Sequence, residues 1–151
     1  MDMETFLLET PPVVGSKSLT MAAKRYTYCG GDAARDGVTL LMFHGLGQHE
    51  SSTTPDSLDL TVYQDKEQWE PVIEKLYALR SDTARSPQIR EAWPFDWQSH
   101  GESAVLNEKA LEDGPDSACM WASAITGFIK SDVVKGHRLV GIGYSSGSIT
   151  L

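Results

Sequence analysis

Apolar residues along this chain occur in two patterns, short continuous runs and stripes at helical spacing. The runs cover Val38–Phe43, Ile89–Phe95 and residues 139–143. Their length of five to seven residues is typical of strands that are buried on both faces of a parallel sheet. Between the runs, apolar residues recur every three or four positions from Trp69 to Tyr77, and again after Asp116, which we expect to cap a second helix. Strand and helix therefore alternate, which predicts an α/β fold with a mainly parallel sheet and helices on both faces.

The N-terminal part of the chain gives weaker patterns. Residues 1–18 are mostly polar and include Pro11 and Pro12, so we expect a flexible arm there. Residues 19–28 have the β-branched and aromatic content of an edge strand. We expect the first helix to begin near Gln68, because Pro71 then lies in the first turn, where its missing N–H is tolerated. The sequence thus predicts one folded domain over residues 19–151.

Composition excludes several functional classes. The chain has 151 residues with 13 basic and 21 acidic side chains, a net charge of −8, and 40% hydrophobic residues, which is ordinary for a single folded domain. The acidic balance, without a cluster of Lys or Arg, argues against nucleic acid as a partner. No apolar run approaches the roughly 18 residues of a membrane span. The N-terminus carries acidic residues where a signal peptide carries basic ones, so we expect a cytoplasmic protein.

The strongest chemical signal is a G-x-S-x-G pattern directly after the last apolar run. It reads Gly143-Tyr144-Ser145-Ser146-Gly147. A serine nucleophile on a sharp turn after a strand needs small residues two places before it and two places after it, because side chains there would collide. The N–H of Ser146 would then face the oxygen that becomes negative in acyl transfer. The string alone occurs by chance, so its position after a buried strand is what makes Ser145 a candidate.

Two further motifs follow the other two runs. His44-Gly45-Leu46-Gly47 follows the first, where an N–H from Leu46 could complete an oxyanion hole; an ordinary glycine-rich turn explains this motif equally well. Asp96-Trp97-Gln98-Ser99-His100-Gly101-Glu102-Ser103 follows the second.

Taken in order, the three motifs resemble the α/β-hydrolase superfamily, in which H-G-x-G, D-x-x-G-x-G-x-S and G-x-S-x-G follow successive strands. The resemblance spans roughly residues 20–151, and Ser99 departs from it by replacing the first glycine of the middle motif. The chain is similar to the fungal peroxisomal-lipase and toxin-biosynthesis hydrolases in particular. The resemblance implies an ester, lipid or related acyl group on a small-molecule substrate, and no nucleotide or metal cofactor. It implies that Ser145 is the nucleophile, that the amides of Leu46 and Ser146 form the oxyanion hole, and that the motifs are supported by His44, Gly45, Gly47, Asp96, His100, Gly101, Gly143 and Gly147.

The same resemblance implies an acid and a histidine that would follow the nucleophile, after Leu151. We therefore expect the chain to be the N-terminal half of such a fold, truncated after the turn at Ser145, with a peroxisomal location possible for a full-length form. An inactive truncated product and a non-catalytic interaction module are the alternatives. His137 opens the strand that ends near Ser145, so it should lie at the opposite edge of the sheet, and His49 is the least implausible substitute base. The last strand would also leave an open sheet edge, which predicts self-association.

Residues 50–65 interrupt the resemblance. Without them, His49 would join Lys66 at the spacing we expect of relatives. One interpretation is a true loop insertion, in which Leu58, Leu60 and Val62 alternate as in a short strand. The other is retained non-coding sequence, which sequencing of the spliced transcript would test.

Overall fold

The computed structural model describes residues 1–10, 17–28, 36–45, 65–79, 88–112 and 118–150. They contain one five-stranded sheet with the strand order β1-β2-β4-β3-β5. The strands are β1 (Asp2–Glu9), β2 (Thr20–Thr27), β3 (Val38–Phe43), β4 (Ile89–Phe95) and β5 (Arg138–Gly143). Strand β3 lies between β4 and β5 and is parallel to both, whereas β2 is antiparallel to β1 and to β4. The three parallel strands predicted from the apolar runs are therefore confirmed.

Three α-helices connect the parallel strands. A 3₁₀ turn over Lys66–Trp69 continues into α1 (Glu70–Leu79), and α2 (Gly101–Leu111) and α3 (Ala118–Ile129) lie between β4 and β5. The helical segment thus begins two residues before the predicted start near Gln68. Asp116, the predicted cap of α3, lies outside the described residues, and α2 was not predicted.

The alternation of side chains along β3 creates two cores, one on each face of the sheet. Leu40 and Met42 pack on one face, in a cluster that includes Ile73 and Tyr77 of α1. Leu41 and Phe43 pack on the other face, in a cluster that includes Trp93, Phe95, Trp121 and Phe128, of which the last two belong to α3. Helices therefore cover both faces, as α/β architecture requires.

The predicted flexible arm over residues 1–18 is wrong for residues 2–9. Strand β1 pairs with β2 along its whole length, from Asp2 opposite Thr27 to Glu9 opposite Thr20. The alternating Phe6 and Leu8 hold β1 in place because they pack against the core, with the Phe6 ring 4.8 Å from that of Trp93. Residues 11–16 lie outside the described residues.

This pairing also corrects the edge-strand prediction for residues 19–28. Strand β2 lies between β1 and β4, and Met21, Ala22 and Ala23 are fully buried. Met21, Ala22 and Ala23 form an apolar run too short to predict a buried strand from the sequence, although β2 lies in the interior of the sheet.

The interruption over residues 50–65 is described only at its last residue. The Asp65 side chain accepts a hydrogen bond from the N–H of Glu67 at 3.1 Å and so caps the helical segment that follows. Residues 50–64 lie outside the described residues, so the choice between an insertion and retained non-coding sequence stays open. No helix in the described part of the chain is long and apolar enough to cross a bilayer.

Candidate functional site

The three sequence motifs begin at the same edge of the sheet. In the register of the parallel strands, Phe43 pairs with Phe95 on one side and with Gly143 on the other. These are the last residues of β3, β4 and β5, so the chain leaves all three strands at one level. His44, Asp96 and Tyr144 are therefore the first residues beyond this edge.

Ser145 lies on a strained turn immediately after β5. Its φ of 53° is positive, a conformation that the structure gives to no other non-glycine residue it describes, and its side chain is exposed. The N–H of Tyr144 donates to the carbonyl of Phe43 at 2.9 Å, and the N–H of Gly147 donates to the carbonyl of Tyr144 at 2.9 Å. These two bonds anchor the turn to the end of β3 and close it around Ser145. Positive φ in a non-glycine residue costs energy and is concentrated at functional sites.

The glycines on either side of Ser145 are required by close backbone contacts. A β-carbon on Gly143 would lie 2.6 Å from the α-carbon of Ser148, and one on Gly147 would lie 2.6 Å from the carbonyl oxygen of His44 and collide with that of Phe43. Because the neighbouring atoms belong to the backbone, they cannot move aside as a side chain can. The small residues expected around Ser145 thus have a steric reason.

His44 is fully buried and uses both of its ring nitrogens. Nε2 accepts a hydrogen bond from the N–H of Trp97 at 3.2 Å, so Nδ1 carries the proton and donates to the carbonyl of Gly45 at 2.7 Å. Burial lowers the pKa of His44 from 6.5 to about 4, and the charges of His100 and Lys66 act in the same direction. The imidazole is therefore neutral at physiological pH and fixes the turn after β3 instead of accepting a proton.

Asp96 is fully buried and joins the starts of two helices. Its Oδ1 accepts from the N–H of Lys66 at 2.8 Å, and its Oδ2 accepts from Lys66 Nζ at 2.9 Å and from the N–H groups of Glu102 at 3.0 Å and Ser103 at 3.5 Å. Burial raises the pKa of Asp96, and the hydrogen bonds and charge of Lys66 oppose that rise. Both of its oxygens are engaged by groups at the starts of these two helices, which favours a structural, loop-ordering function over that of a triad acid.

His100 and Gly101 complete the loop that Asp96 organises. Gly101 has a φ of +52°, and a β-carbon on it would lie 2.6 Å from Oδ2 of Asp96, so glycine is required both by conformation and by space. Nδ1 of His100 lies 3.0 Å from Oγ of Ser99, and the His100 ring is 5.4 Å from that of His44. His100 is half-buried beside the turn after β3.

Some candidate residues cannot be placed. Leu46, Gly47 and His49 lie outside the described residues, whereas Ser146 is half-buried within the turn after β5. His137 lies at the opposite edge of the sheet, where its Nδ1 is 3.0 Å from Oγ1 of Thr39, and the six residues of β5 separate it from Ser145 by roughly 20 Å. In the portion of the chain that the structure describes, no three His, Cys, Asp or Glu side chains are grouped so that they could hold a metal ion.

Sequence reasoning missed Lys66. Its side chain is only 1% exposed, although a lysine before an amphipathic helix normally lies in water. The signal that could have found it is indirect: an aspartate buried after a parallel strand needs a cation nearby, and Lys66 is a basic residue close to the start of the first helix.

No protein family and no curated protein matches this sequence. Among solved structures, the chain is similar to the peroxisomal α/β-hydrolase Lpx1 from Saccharomyces cerevisiae, with a TM-score of 0.65 and 20% sequence identity. The similarity covers 99% of this chain and 39% of the Lpx1 chain, so this chain spans about two fifths of the length of that protein.

Proposed function

We propose that this chain, which has a partial α/β-hydrolase fold, carries the serine nucleophile of a hydrolase acting on carboxylic esters, lipids or related acyl substrates. The observation that carries the proposal is the exposed Ser145 at a φ of 53°, on a turn directly after a parallel strand. A serine held in strain at the carboxyl edge of a parallel sheet is the arrangement of a nucleophile in acyl transfer.

In the proposed reaction, Oγ of Ser145 forms a bond to the acyl carbonyl carbon while its proton passes to a base. The carbonyl oxygen becomes negative and is held by the backbone N–H groups of Ser146 and Leu46. The carbonyl of Gly45, which His44 holds, belongs to the residue that directly precedes the proposed donor Leu46 in the sequence. Expulsion of the alcohol leaves an acyl-serine, which water then hydrolyses.

We assign no described histidine as the base. Both nitrogens of His44 are engaged and its ring is neutral, His100 belongs to the Asp96 loop with its Nδ1 3.0 Å from Oγ of Ser99, and His137 lies at the far edge of the sheet. The base and the acid that orients it are expected beyond this chain, which spans about two fifths of the Lpx1 chain. The complete catalytic cycle therefore belongs to the whole protein, and the proposal for this chain is the nucleophile and its oxyanion donors.

The proposed substrate is a small molecule with an acyl group, and the reaction needs no nucleotide or metal. A cytoplasmic site of action is part of the proposal, and a peroxisomal site belongs to it only for a longer form. We also propose self-association along β5, because this strand pairs only with β3 in the described sheet and Val140 on it is 42% exposed.

A serine-directed fluorophosphonate probe tests the proposal. In the whole protein, which supplies the proposed base, the wild type should be labelled, Ser145→Ala should not, and the control Ser148→Ala, which changes an exposed serine three residues further along the same turn, should be labelled at the wild-type rate. Circular dichroism would establish that each variant is folded. A folded whole protein that takes no label, or a Ser145→Ala variant that labels like wild type, would contradict the assignment of Ser145 and favour a non-catalytic function.

A further inference from the structure

Lys66 places a full positive charge in the interior of the protein. Its ammonium lies 2.9 Å from Oδ2 of Asp96, 3.2 Å from Oε1 of Glu67 and 3.3 Å from Oε2 of Glu102. Its own backbone N–H binds the second oxygen of Asp96. One residue thus contacts both oxygens of one buried carboxylate, through its main chain and through its side chain.

A buried lysine is costly unless it is paired, and a surface lysine would serve solubility equally well. Burial alone would lower the pKa of Lys66, but the hydrogen bond and charge of Asp96 raise it above its ordinary value, so the ammonium stays charged. The position of this charge therefore needs a reason beyond stability.

The contacts of Asp96 and its neighbour lead from Lys66 to the turn that carries Ser145. Trp97 follows Asp96 and holds His44 twice, through its N–H to Nε2 and through its indole N–H to the carbonyl oxygen at 3.2 Å. The backbone of His44 in turn lies against Gly147, two residues after Ser145. The links are the Lys66–Asp96 ion pair, the peptide bond from Asp96 to Trp97, the two hydrogen bonds of Trp97 to His44 and the backbone contact with Gly147, all between buried groups.

We propose that Lys66 is a positioning residue of this site: its ammonium holds the Asp96 carboxylate in place, and that carboxylate holds the Trp97–His44 turn against the turn of Ser145. Burial raises the pKa of Asp96 and Lys66 opposes that rise, so without the ammonium the pKa would rise further and the carboxylate would take up a proton more readily. A protonated carboxyl group would direct an O–H at the N–H groups of Glu102 and Ser103, so the loop would have to move.

The charged and titratable groups around Asp96 come from four elements. They are Asp65, Lys66 and Glu67 at the start of α1, His100 and Glu102 at the start of α2, His44 after β3, and Lys24 on β2. Lys24 provides a matched control, because its ion pairs are with Glu67 and Glu70, both at 2.9 Å, and its side chain is also largely buried, at 14% exposure. It belongs to the same acidic cluster and is paired with carboxylates other than Asp96.

The experiment compares Lys66→Met, Lys66→Arg and Lys24→Met with the wild type, all in the whole protein, between pH 5 and pH 8. The first measurement is solvent exchange of the indole N–H protons of Trp97, bound to His44, and of Trp121, bound to the carbonyl of Asp96 at 3.2 Å. The second is the rate of fluorophosphonate labelling at Ser145.

In Lys66→Met we expect both indole protons to exchange on the order of tenfold faster, increasingly so as the pH falls and Asp96 gains a proton. We expect labelling to slow by about tenfold or more, because a displaced oxyanion donor misplaces the reacting atoms. Lys66→Arg should recover much of both signals, and Lys24→Met should stay within about twofold of wild type.

Equal exchange rates and pH profiles in Lys66→Met and Lys24→Met would overturn the proposal. If Lys66→Met does not fold, Lys66→Gln carries the same comparison, because the amide keeps a donor for Asp96 while removing the charge. The labelling half rests on the proposed function, whereas the indole measurement does not. A whole wild-type protein that fails to label would therefore refute the nucleophile and leave the positioning of the loop by Lys66 separately testable.

Discussion

Gly147 and His44 are in direct backbone contact: a β-carbon on Gly147 would lie 2.6 Å from the carbonyl oxygen of His44. The two residues belong to motifs on different strands, β5 and β3, which are parallel neighbours ending at one level. Because the contact is between backbone atoms, neither side can adjust by changing a rotamer. The two turns can therefore approach each other this closely only because Gly147 has no side chain.

Substituting Gly147 should therefore damage the site more than the fold. We expect Gly147→Ala to lower the free energy of unfolding by about 1–3 kcal/mol, the usual cost of overpacking, and to abolish labelling of Ser145. The control is Gly136→Ala, at a φ of +75° with no atom within 4 Å of the added carbon, which should cost about 1–2 kcal/mol and leave labelling unchanged. Urea unfolding and the fluorophosphonate probe measure the two effects. Wild-type labelling of Gly147→Ala would show that the contact is unnecessary.

The positive φ of Ser145 predicts that two inactive variants differ in stability. Ser145→Gly should be more stable than Ser145→Ala by about 1 kcal/mol, because glycine adopts a φ of 53° without strain and alanine does not. Neither variant should take up the fluorophosphonate probe, since both lack the hydroxyl. Thermal or urea unfolding of the pair gives the difference directly. Equal stabilities would mean that the turn stores no strain at this residue.

Burial of His44 predicts a loss of stability in mild acid. Above pH 6.5 the imidazole is neutral in both states, but between pH 6.5 and pH 4 only the unfolded chain binds a proton, so the free energy of unfolding falls with pH. The contribution of His44 is on the order of 3 kcal/mol over this range. It is measured as the difference between wild type and His44→Gln in urea unfolding from pH 7 to pH 4.5.

The His44→Gln variant should be less stable at pH 7, where its hydrogen bonds are imperfect, but it should lose less stability on acidification. Other groups titrate in both proteins and cancel in the difference. Parallel pH dependences of the two free energies of unfolding would indicate that His44 takes up a proton in the native state at the same pH as in the unfolded chain.

Gly101 combines the two effects that Gly136 and Gly147 show separately. Its φ of +52° and the 2.6 Å approach of Asp96 Oδ2 to an added β-carbon predict a larger loss for Gly101→Ala than for Gly136→Ala, by about 1–3 kcal/mol. Urea unfolding of the two variants side by side measures the excess. A loss no larger than that of Gly136→Ala would show that the Asp96 loop accommodates the methyl group.

The central strands could be predicted because both of their faces are buried. Strands β3 and β4 occupy the predicted ranges, and β5 begins one residue earlier than predicted. The turn at Ser145 could also be predicted from the sequence, because a sharp turn after a strand accepts only small residues such as Gly143 and Gly147 on either side of it. Its chemical role remains a prediction.

Helix α2 could not be predicted because its buried face is polar. Ser103 and Asn107 face the sheet, where the hydroxyl accepts from the N–H of Ala22 at 2.8 Å and the amide bonds to the backbone of Thr20. Val105, by contrast, is 76% exposed. This pattern is the reverse of the apolar stripe by which amphipathic helices are found. Strand β1 was missed for a related reason, since only Phe6 and Leu8 on it turn inward.

The hydrogen bonds at Gly45 and at Lys66 have a consequence for the connection between them. The carbonyl of Gly45 is fixed by an imidazole, and the main chain re-enters the fold at Asp65 and Lys66, where a helix cap and a buried ion pair fix it. Both attachment points are therefore defined by groups outside the connection. We expect linkers of other lengths and compositions to be exchangeable between the proposed oxyanion donor Leu46 and Asp65 while the sheet keeps its register, which would let evolution vary this side of the site independently of the scaffold.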